Sequence, residues 1–195
     1  MIAERDRLVE TYTGLNKDFP QLTTSYLDYL DIRKNADALK GFAASGYVRG
    51  ILSGGERPAL VMGEVVSRDY FDTLGVKPGT GRPTSADEAP FANSAPVIIL
   101  SHGLWQRQFG GRSNMLGEHI QLSGFDYTVI GIGPAGFAGT IPGISSDFWA
   151  PLTMVDRLNF SGVQTSADED PGQTRLERRG ERCDPRRERA RAGER

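Results

Sequence analysis

Short segments of alternating apolar and polar residues run through residues 1–160, and most of them are the length of a β-strand. Two pairs of such segments flank glycine-containing dipeptides, Gly54-Gly55 and Ser123-Gly124, which suit hairpin turns. Val97 to Leu100 is apolar throughout, as expected of a strand buried on both faces. The predicted strands are Arg7 to Thr13, Tyr47 to Ser53, Ala59 to Val66, Val97 to Leu100, Glu118 to Leu122, Tyr127 to Ile132 and Phe148 to Ala150.

A longer helical pattern begins near Ser25, where Thr23 or Thr24 can cap the first turn. Helical spacing places one set of apolar side chains on a common side, which we expect to face the core. That set comprises Tyr26, Leu27, Leu30, Leu39 and Phe42.

Two shorter helices are predicted from cap residues. Ser67 precedes Arg68 to Leu74, Ser101 precedes His102 to Phe109, and a glycine follows each segment. Residues 76–96 are rich in Pro, Gly, Thr and acidic residues and are predicted to be a loop. The apolar side chains expected to pack on the core are Tyr70, Phe71, Leu74, Leu104, Trp105 and Phe109.

Strand pairs mixed with single crossover helices predict an α+β fold with mixed sheets, arranged in two lobes. Composition changes sharply near residue 160. Residues 161–195 contain no Trp, Tyr, Phe or Ile, and carry nine Arg, no Lys and eight acidic residues. Such a segment buries too little apolar surface to fold, so we expect a domain over residues 1–160 and a disordered tail over 161–195. The tail composition is typical of GC-rich coding DNA translated out of frame.

Charge and cysteine content exclude several classes of protein. The net charge of −2 gives no global attraction to nucleic acid, and acidic residues nearly neutralise the basic clusters of the tail. Cys183 is the only cysteine, which excludes a disulfide framework and a cysteine-based zinc site. The sequence contains neither an apolar run of membrane-spanning length nor the apolar region of a signal peptide at Met1.

The histidines and serines show no catalytic or metal-ligand pattern. His102 follows a helix cap, and His119 alternates with apolar residues and is expected on the exposed strand face. Neither histidine has ligand spacing, and Leu100-Ser101-His102-Gly103 is not a nucleophile elbow.

The remaining chemical motifs are also weak. Gly131, Gly133 and Gly136 have the spacing of a dinucleotide loop, but the following residues do not open a helix. The acidic pairs Asp87-Glu88 and Asp28/Asp31 are expected in a solvated loop and on an exposed helix face. We therefore assign no catalytic, cofactor-binding or metal-binding residue and expect no cofactor.

Five colinear blocks resemble the MacB-like periplasmic core domain of ABC transporter permeases, in particular the Acidobacteria-type permease group. The most specific block runs from Gly63 to Val76 and is followed by Pro78 and Gly81-Arg82. The others are Ser25 to Arg33, Val97 to Gly111, Leu116 to Gly131, and Pro134 to Phe137 with Asp147 to Leu152. Together they cover roughly residues 7–158, which would be an incomplete copy of that domain.

The resemblance implies a non-enzymatic domain outside the membrane that couples motion of transmembrane helices to the handling of a substrate or partner. It also implies three kinds of partner: the permease transmembrane segments, the ATP-binding subunit of the transporter and a periplasmic protein. Nucleic acid is not an expected partner. Two alternatives stay open at this point, a soluble periplasmic binding or adaptor module and a hydrolase that uses His102 and nearby carboxylates.

Overall fold

A mixed sheet of seven strands organises the computed structural model, which describes residues 8–11, 26–36, 39–53, 58–84, 96–140 and 143–158. The strands are β1 (Ser45–Ser53), β2 (Ala59–Val66), β3 (Thr80–Gly81), β4 (Val97–Leu100), β5 (His119–Leu122), β6 (Phe125–Ile132) and β7 (Phe148–Pro151). The helices are α1 (Tyr26–Lys34), α2 (Tyr70–Thr73), α3 (His102–Phe109) and α4 (Val155–Leu158), with a 3₁₀ turn at Leu152–Met154 before α4.

The sheet closes on itself. Its strand order is β3-β6-β4-β7-β2-β1-β5, and β5 also pairs with β6, so six strands form a ring to which β3 adds on β6. The β2–β7 and β4–β6 pairs are parallel and the others are antiparallel. The α+β fold with a mixed sheet is therefore confirmed. The two-lobe arrangement is not confirmed, since all described strands belong to one sheet.

Turn chemistry sets the register of the β5–β6 hairpin. Ser123 and Gly124 have φ values of 53° and 83°, the pair of positive angles that a two-residue hairpin turn requires. This turn directs Ile120 and Leu122 to the same side as Tyr127, and all three side chains are buried. The pairing of β1 with β2 was also predicted correctly, and in the structure Tyr47 lies opposite Glu64. The predicted turn at Gly54-Gly55 lies outside the described residues.

Side chains from all six ring strands meet inside the ring. Alternation along each strand sends every second residue inward, and helices α3 and α4 supply further apolar groups. We call this set the inner cluster. It comprises Val48, Leu52, Val61, Val65, Ile98, Leu100, Leu104, Met115, Ile120, Leu122, Tyr127, Val129, Ile132, Phe148, Ala150, Met154 and Leu158.

A second apolar set lies on the outer face of the ring and is called the outer cluster. It comprises Val66, Tyr70, Phe71, Leu74, Val76, Ile99, Phe137 and Trp149. Its centre is aromatic: Phe137 stacks on Trp149 with ring centroids 5.1 Å apart, and Phe71 meets Trp149 edge-on at 5.8 Å. Helix α2 and the loop between β6 and β7 thus cover one part of the outer face.

Helix α3 agrees with its sequence signals. The Ser101 hydroxyl accepts a hydrogen bond from the Leu104 N–H at 3.0 Å, and the chain turns at Gly110 with a φ of 61°. Leu104 is fully buried as expected. Trp105 is only partly buried, because it packs against the edge of the inner cluster and its indole N–H donates to the Arg112 carbonyl at 2.9 Å.

Helix α2 is shorter than predicted and lacks the predicted cap. The Ser67 hydroxyl instead accepts from the Ala44 N–H at 3.0 Å, which ties the residue before β1 to the end of β2. Tyr70, Phe71 and Leu74 are nevertheless buried on one face, as their spacing predicts. The residue after the helix, Gly75, has the expected positive φ of 63°.

Three further differences concern local structure. Tyr29 of α1, which is not in the predicted apolar set, is buried and stacks on Phe42 at 5.6 Å, whereas Leu39 is exposed. The side chains of Tyr26 and Leu27 lie outside the described part of the structure. Within the predicted loop 76–96, strand β3 pairs with β6. Leu8 to Thr11, part of the first predicted strand, form no strand. The tail over residues 161–195 lies outside the described residues.

Candidate functional site

The two histidines lie on separate elements. His102 occupies the first turn of α3 and meets the Trp105 ring edge-on at 5.4 Å. His119 is exposed on β5, as predicted, and its Nδ1 lies 3.4 Å from the Thr128 hydroxyl. The part of the chain that the structure describes contains no group of three or more His, Cys, Asp or Glu side chains that could hold a metal ion.

The glycine motif and the acidic pair of α1 have structural explanations. A Cβ at Gly133 would lie 2.9 Å from the Trp149 ring. This glycine, which directly follows β6, therefore allows the main chain to lie close to Trp149 of β7. The chain after Gly133 forms turns rather than a helix. Asp28 and Asp31 lie on the exposed side of α1, and Asp87-Glu88 falls outside the described residues.

The most unusual group in the structure is the carboxylate of Glu64, in the middle of β2. Its side chain points to the outer face of the ring and is 0% exposed. The Tyr70 hydroxyl donates to Oε2 at 2.8 Å, and the Thr140 hydroxyl donates to the same oxygen at 3.1 Å. Oε1 accepts from the Ser146 hydroxyl and from the Thr140 N–H at 3.4 Å. Hydroxyl and amide donors from α2 and from the loop between β6 and β7 therefore converge on one buried carboxylate.

This arrangement ties three parts of the chain together, and we call it the Glu64 clasp: Glu64, Tyr70, Thr140 and Ser146. Tyr70 belongs to α2, while Thr140 and Ser146 belong to the loop between β6 and β7. Burial, reinforced by the nearby Glu64 charge, raises the pKa of Tyr70 far above its usual value, so this phenol stays a hydrogen-bond donor at any physiological pH. A buried carboxylate needs such donors, because it would otherwise be strongly destabilising.

Close approach of the loop depends on Gly139. A Cβ on this residue would lie 1.9 Å from Glu64 Oε1, and its φ of 95° is one that other residues rarely adopt. The positive φ and the close approach to Glu64 thus explain why a glycine occupies position 139.

A second tie joins α3 to the start of β7. Arg107 Nη2 lies 2.6 Å from Asp147 Oδ1, and Asp147 Oδ2 accepts from the Met62 N–H of β2 at 3.2 Å. Asp147 is only 16% exposed at its side chain. Asp147 therefore links α3 and β2 to the start of β7. This link is separate from the Glu64 clasp.

Beyond the clasp, the outer face of the β1–β2 hairpin is uncovered by the described residues. Leu60 is 66% exposed, Tyr47 38% and Met62 36%. The Tyr47 hydroxyl contacts the Met62 sulfur across the strand pair. Arg49, opposite Met62, is exposed on the same face. These four residues form what we call the hairpin face, an apolar surface with a single positive charge.

Sequence reasoning did not identify the clasp. Glu64 lies within the block that most resembles a known domain, and the available signal was its position as the one charged residue in the apolar strand Ala59–Val66. Thr140 and Ser146 gave no signal, because they are distant along the chain and lie in a loop. The hairpin face was visible as alternation, but a sequence does not show which strand faces stay uncovered.

No helix among the described ranges is long and apolar enough to cross a membrane.

The family model of the MacB-like periplasmic core domain matches residues 1–177. Among solved structures, the extracellular domain of the noncanonic ABC-type transporter YknZ from Gram-positive bacteria is similar, with a TM-score of 0.55, 20% identity, and coverage of 68% of this chain and 65% of that one. The periplasmic region of MacB from Actinobacillus actinomycetemcomitans is similar with a TM-score of 0.56, 17% identity, and coverage of 78% and 67%. The chain thus spans about two thirds of these structures. No curated protein sequence matches it.

Proposed function

The chain belongs to the family of MacB-like periplasmic core domains, and from this premise we propose that it is a non-enzymatic extracytoplasmic domain that transmits the motion of an ABC transporter permease. The single observation that carries the proposal is the family match over residues 1–177. In this role the domain responds to movement of the permease transmembrane segments, which the ATP-binding subunit drives, and passes it to a substrate or a periplasmic partner.

The packing of the ring supports transmission by a stiff body. Interiors packed like the inner cluster have low compressibility and transmit strain rather than absorb it. The Glu64 clasp and the Asp147 contacts then fasten α2, α3 and the loop between β6 and β7 to the strands. A force applied to one of these elements would reach the ring through hydrogen bonds and ion pairs.

The localisation part of the proposal is tested by cysteine labelling of the whole permease that contains this chain. Cys183 is replaced by Ser, and Leu60→Cys provides an exposed reporter on the hairpin face. A membrane-impermeant maleimide should label this cysteine in intact spheroplasts, to the same extent as after lysis. A matched reporter, Asn114→Cys, is also exposed but lies outside the hairpin face and should behave identically. Labelling only after lysis would contradict an extracytoplasmic position.

The transmission part is tested by distances between spin labels on the same transporter. The Leu60–Asn114 distance should stay unchanged between the nucleotide-free and ATP-bound states, because the domain moves as one body. The distance from either label to a label on the ATP-binding subunit should change. If ATP binding left the domain in place, or altered the internal distance alone, transmission by a stiff body would be wrong.

A further inference from the structure

One edge of β1 has main-chain groups that the sheet does not use. The Ile51 carbonyl accepts from the Ser123 N–H at 2.8 Å, and the Ile51 N–H donates to the Ser123 hydroxyl at 3.3 Å, so the main-chain groups of Ile51 point away from β2. Because direction alternates along a strand, the groups of Arg49 and Tyr47 point the same way. Strand β5 pairs only with the last two residues of β1. Within the described ranges, the N–H and C=O groups of Tyr47 and Arg49 on that edge form no main-chain hydrogen bond.

The hydrogen bonds of β2 confirm this direction independently. The Met62 carbonyl accepts from the Asp147 N–H at 2.6 Å, so the main-chain groups of Met62 point towards β7 and not towards β1. Met62 is the residue opposite Arg49. The Arg49–Met62 pair is therefore not hydrogen-bonded between β1 and β2, and the Arg49 groups face the open edge.

The side chains beside this edge indicate what would bind there. Tyr47 and Arg49 project onto the exposed hairpin face, next to Met62 and Leu60. Arg49 forms no ion pair in the part of the chain that the structure describes. A strand added to β1 would place one side chain beside Arg49 and another, two residues away, beside Tyr47.

We propose that the β1 edge binds an extended segment of a partner protein by strand addition, with an acidic side chain beside Arg49 and an apolar side chain beside Tyr47. Main-chain hydrogen bonds to Tyr47 and Arg49 supply affinity, and the two side-chain positions supply specificity. A second copy of this chain is the weaker occupant. Its own β1, Ser45–Ser53, contains no acidic residue and would leave Arg49 without a carboxylate.

The inference goes beyond the proposed function and does not depend on it, because binding is measured on this chain without the transporter. The probe is a fluorescein-labelled peptide, Thr-Val-Thr-Glu-Thr-Val-Thr. Its sequence is the same in both directions, so either strand orientation places the glutamate beside Arg49 and a valine beside Tyr47. The control peptide carries Lys in place of Glu.

Fluorescence anisotropy should give a dissociation constant below about 1 mM for the Glu peptide. Arg49→Glu should weaken this binding at least about tenfold and should make the Lys peptide the better ligand, since opposite charges side by side on a sheet attract and like charges repel. Lys77→Glu is the matched control: it reverses an exposed positive charge outside the hairpin face and should leave both affinities unchanged. The amide resonances of residues 46–50 should shift on binding to the wild type.

The proposal is overturned by three results. The first is no binding of the Glu peptide at millimolar concentration, with thermal unfolding showing that the chain is folded. The second is equal affinity of wild type and Arg49→Glu for both peptides. The third is a dimer, seen by light scattering, in which the amides of residues 46–50 lie at the contact, since the edge would then belong to a second copy.

Discussion

The inside and the outside of the ring differ in how completely they are covered. Inside, all six strands contribute to the inner cluster, and Phe148 and Leu104 are 0% exposed. Outside, coverage is split: the part under α2 holds the buried Trp149, while the hairpin face leaves Leu60 66% exposed. Among the described residues the inner cluster contains no charged side chain, whereas the covered part of the outer face depends on a carboxylate. Apolar burial thus accounts for the ring itself, and directed hydrogen bonds account for what is fastened to it.

Removing an aromatic side chain from the inner cluster should have the largest effect on the free energy of unfolding. Phe148 is fully buried, and its ring fills the space above Gly63, where a Cβ would lie 2.7 Å from it. Phe148→Ala should lower the free energy of unfolding by about 3–5 kcal/mol through lost burial and a residual cavity. Phe125→Ala is the matched control, because Phe125 is 41% exposed and an Arg157 guanidinium lies over its ring. It should cost under about 1 kcal/mol in the same denaturant titration. Similar losses for both variants would mean that the ring interior is not the main source of stability.

Removing the Glu64 carboxylate on the outer face should have the second largest effect on the free energy of unfolding. Glu64→Leu leaves the hydroxyls of Tyr70, Thr140 and Ser146 without their acceptor, so we expect a loss of about 2–4 kcal/mol. Glu64→Gln keeps the shape and one acceptor oxygen and should lose about half as much. Glu118→Gln, on an exposed residue, should change stability by less than about 0.5 kcal/mol.

Hydrogen exchange separates the clasp from a general loss of stability. The Thr140 N–H donates to Glu64, so its exchange should accelerate in Glu64→Leu more than that of amides in β4. A Glu64→Leu protein as stable as the wild type, with Thr140 still protected, would show that an apolar residue serves the site equally well and that the clasp is dispensable.

Much of the ring was predictable because its signals are local. The Ser123-Gly124 turn, the Ser101 cap and the apolar run at Val97–Leu100 each depend on neighbouring residues, and the structure has all three. Alternation within a strand also predicted correctly that His119 is exposed.

The outer surface was harder to predict because its contacts join distant residues. Ser67 had the right chemistry for a cap, but the Ala44 N–H competes for its hydroxyl. Tyr29 of α1 is buried because Phe42 stacks on it, whereas Leu39, beyond the end of the helix at Lys34, is exposed. The clasp joins β2 to a loop 76 residues later, a pairing that no local pattern indicates.

The smallest expected effect is on the pH dependence of the unfolding free energy. It concerns the phenol of Tyr127, inside the ring of strands, and the phenol of Tyr70, outside it, serves for comparison. Burial raises the pKa of Tyr127 to about 12, against a smaller opposing influence of Arg157, and among the described residues its hydroxyl has no hydrogen-bond partner. The unfolded chain loses this proton near pH 10, roughly, while the folded chain retains it. The contribution of Tyr127 is therefore complete below that pH and is lost as pH rises towards the folded value.

Tyr127→Phe removes this pH dependence without removing a hydrogen bond. Between about pH 8 and about pH 11, the wild type should lose about 1 kcal/mol more unfolding free energy than the variant. Tyr70→Phe is the contrasting control, because it should already be less stable at about pH 8 through loss of the bond to Glu64. Parallel pH curves for wild type and Tyr127→Phe would show that the phenol is accessible to water.

The parallel β2–β7 pair has a consequence for the order in which the protein folds during synthesis. Met62 and Asp147, which hydrogen-bond across this pair, are 85 residues apart, so β2 leaves the ribosome long before its partner exists. The β1–β2 and β5–β6 hairpins can form as soon as they emerge, because their loops are short. The ring can close only when Phe148–Pro151 arrives, and long-range pairing of this kind slows folding. Until then one edge of β2 remains open to other nascent chains, and the interval is set by translation of the intervening sequence.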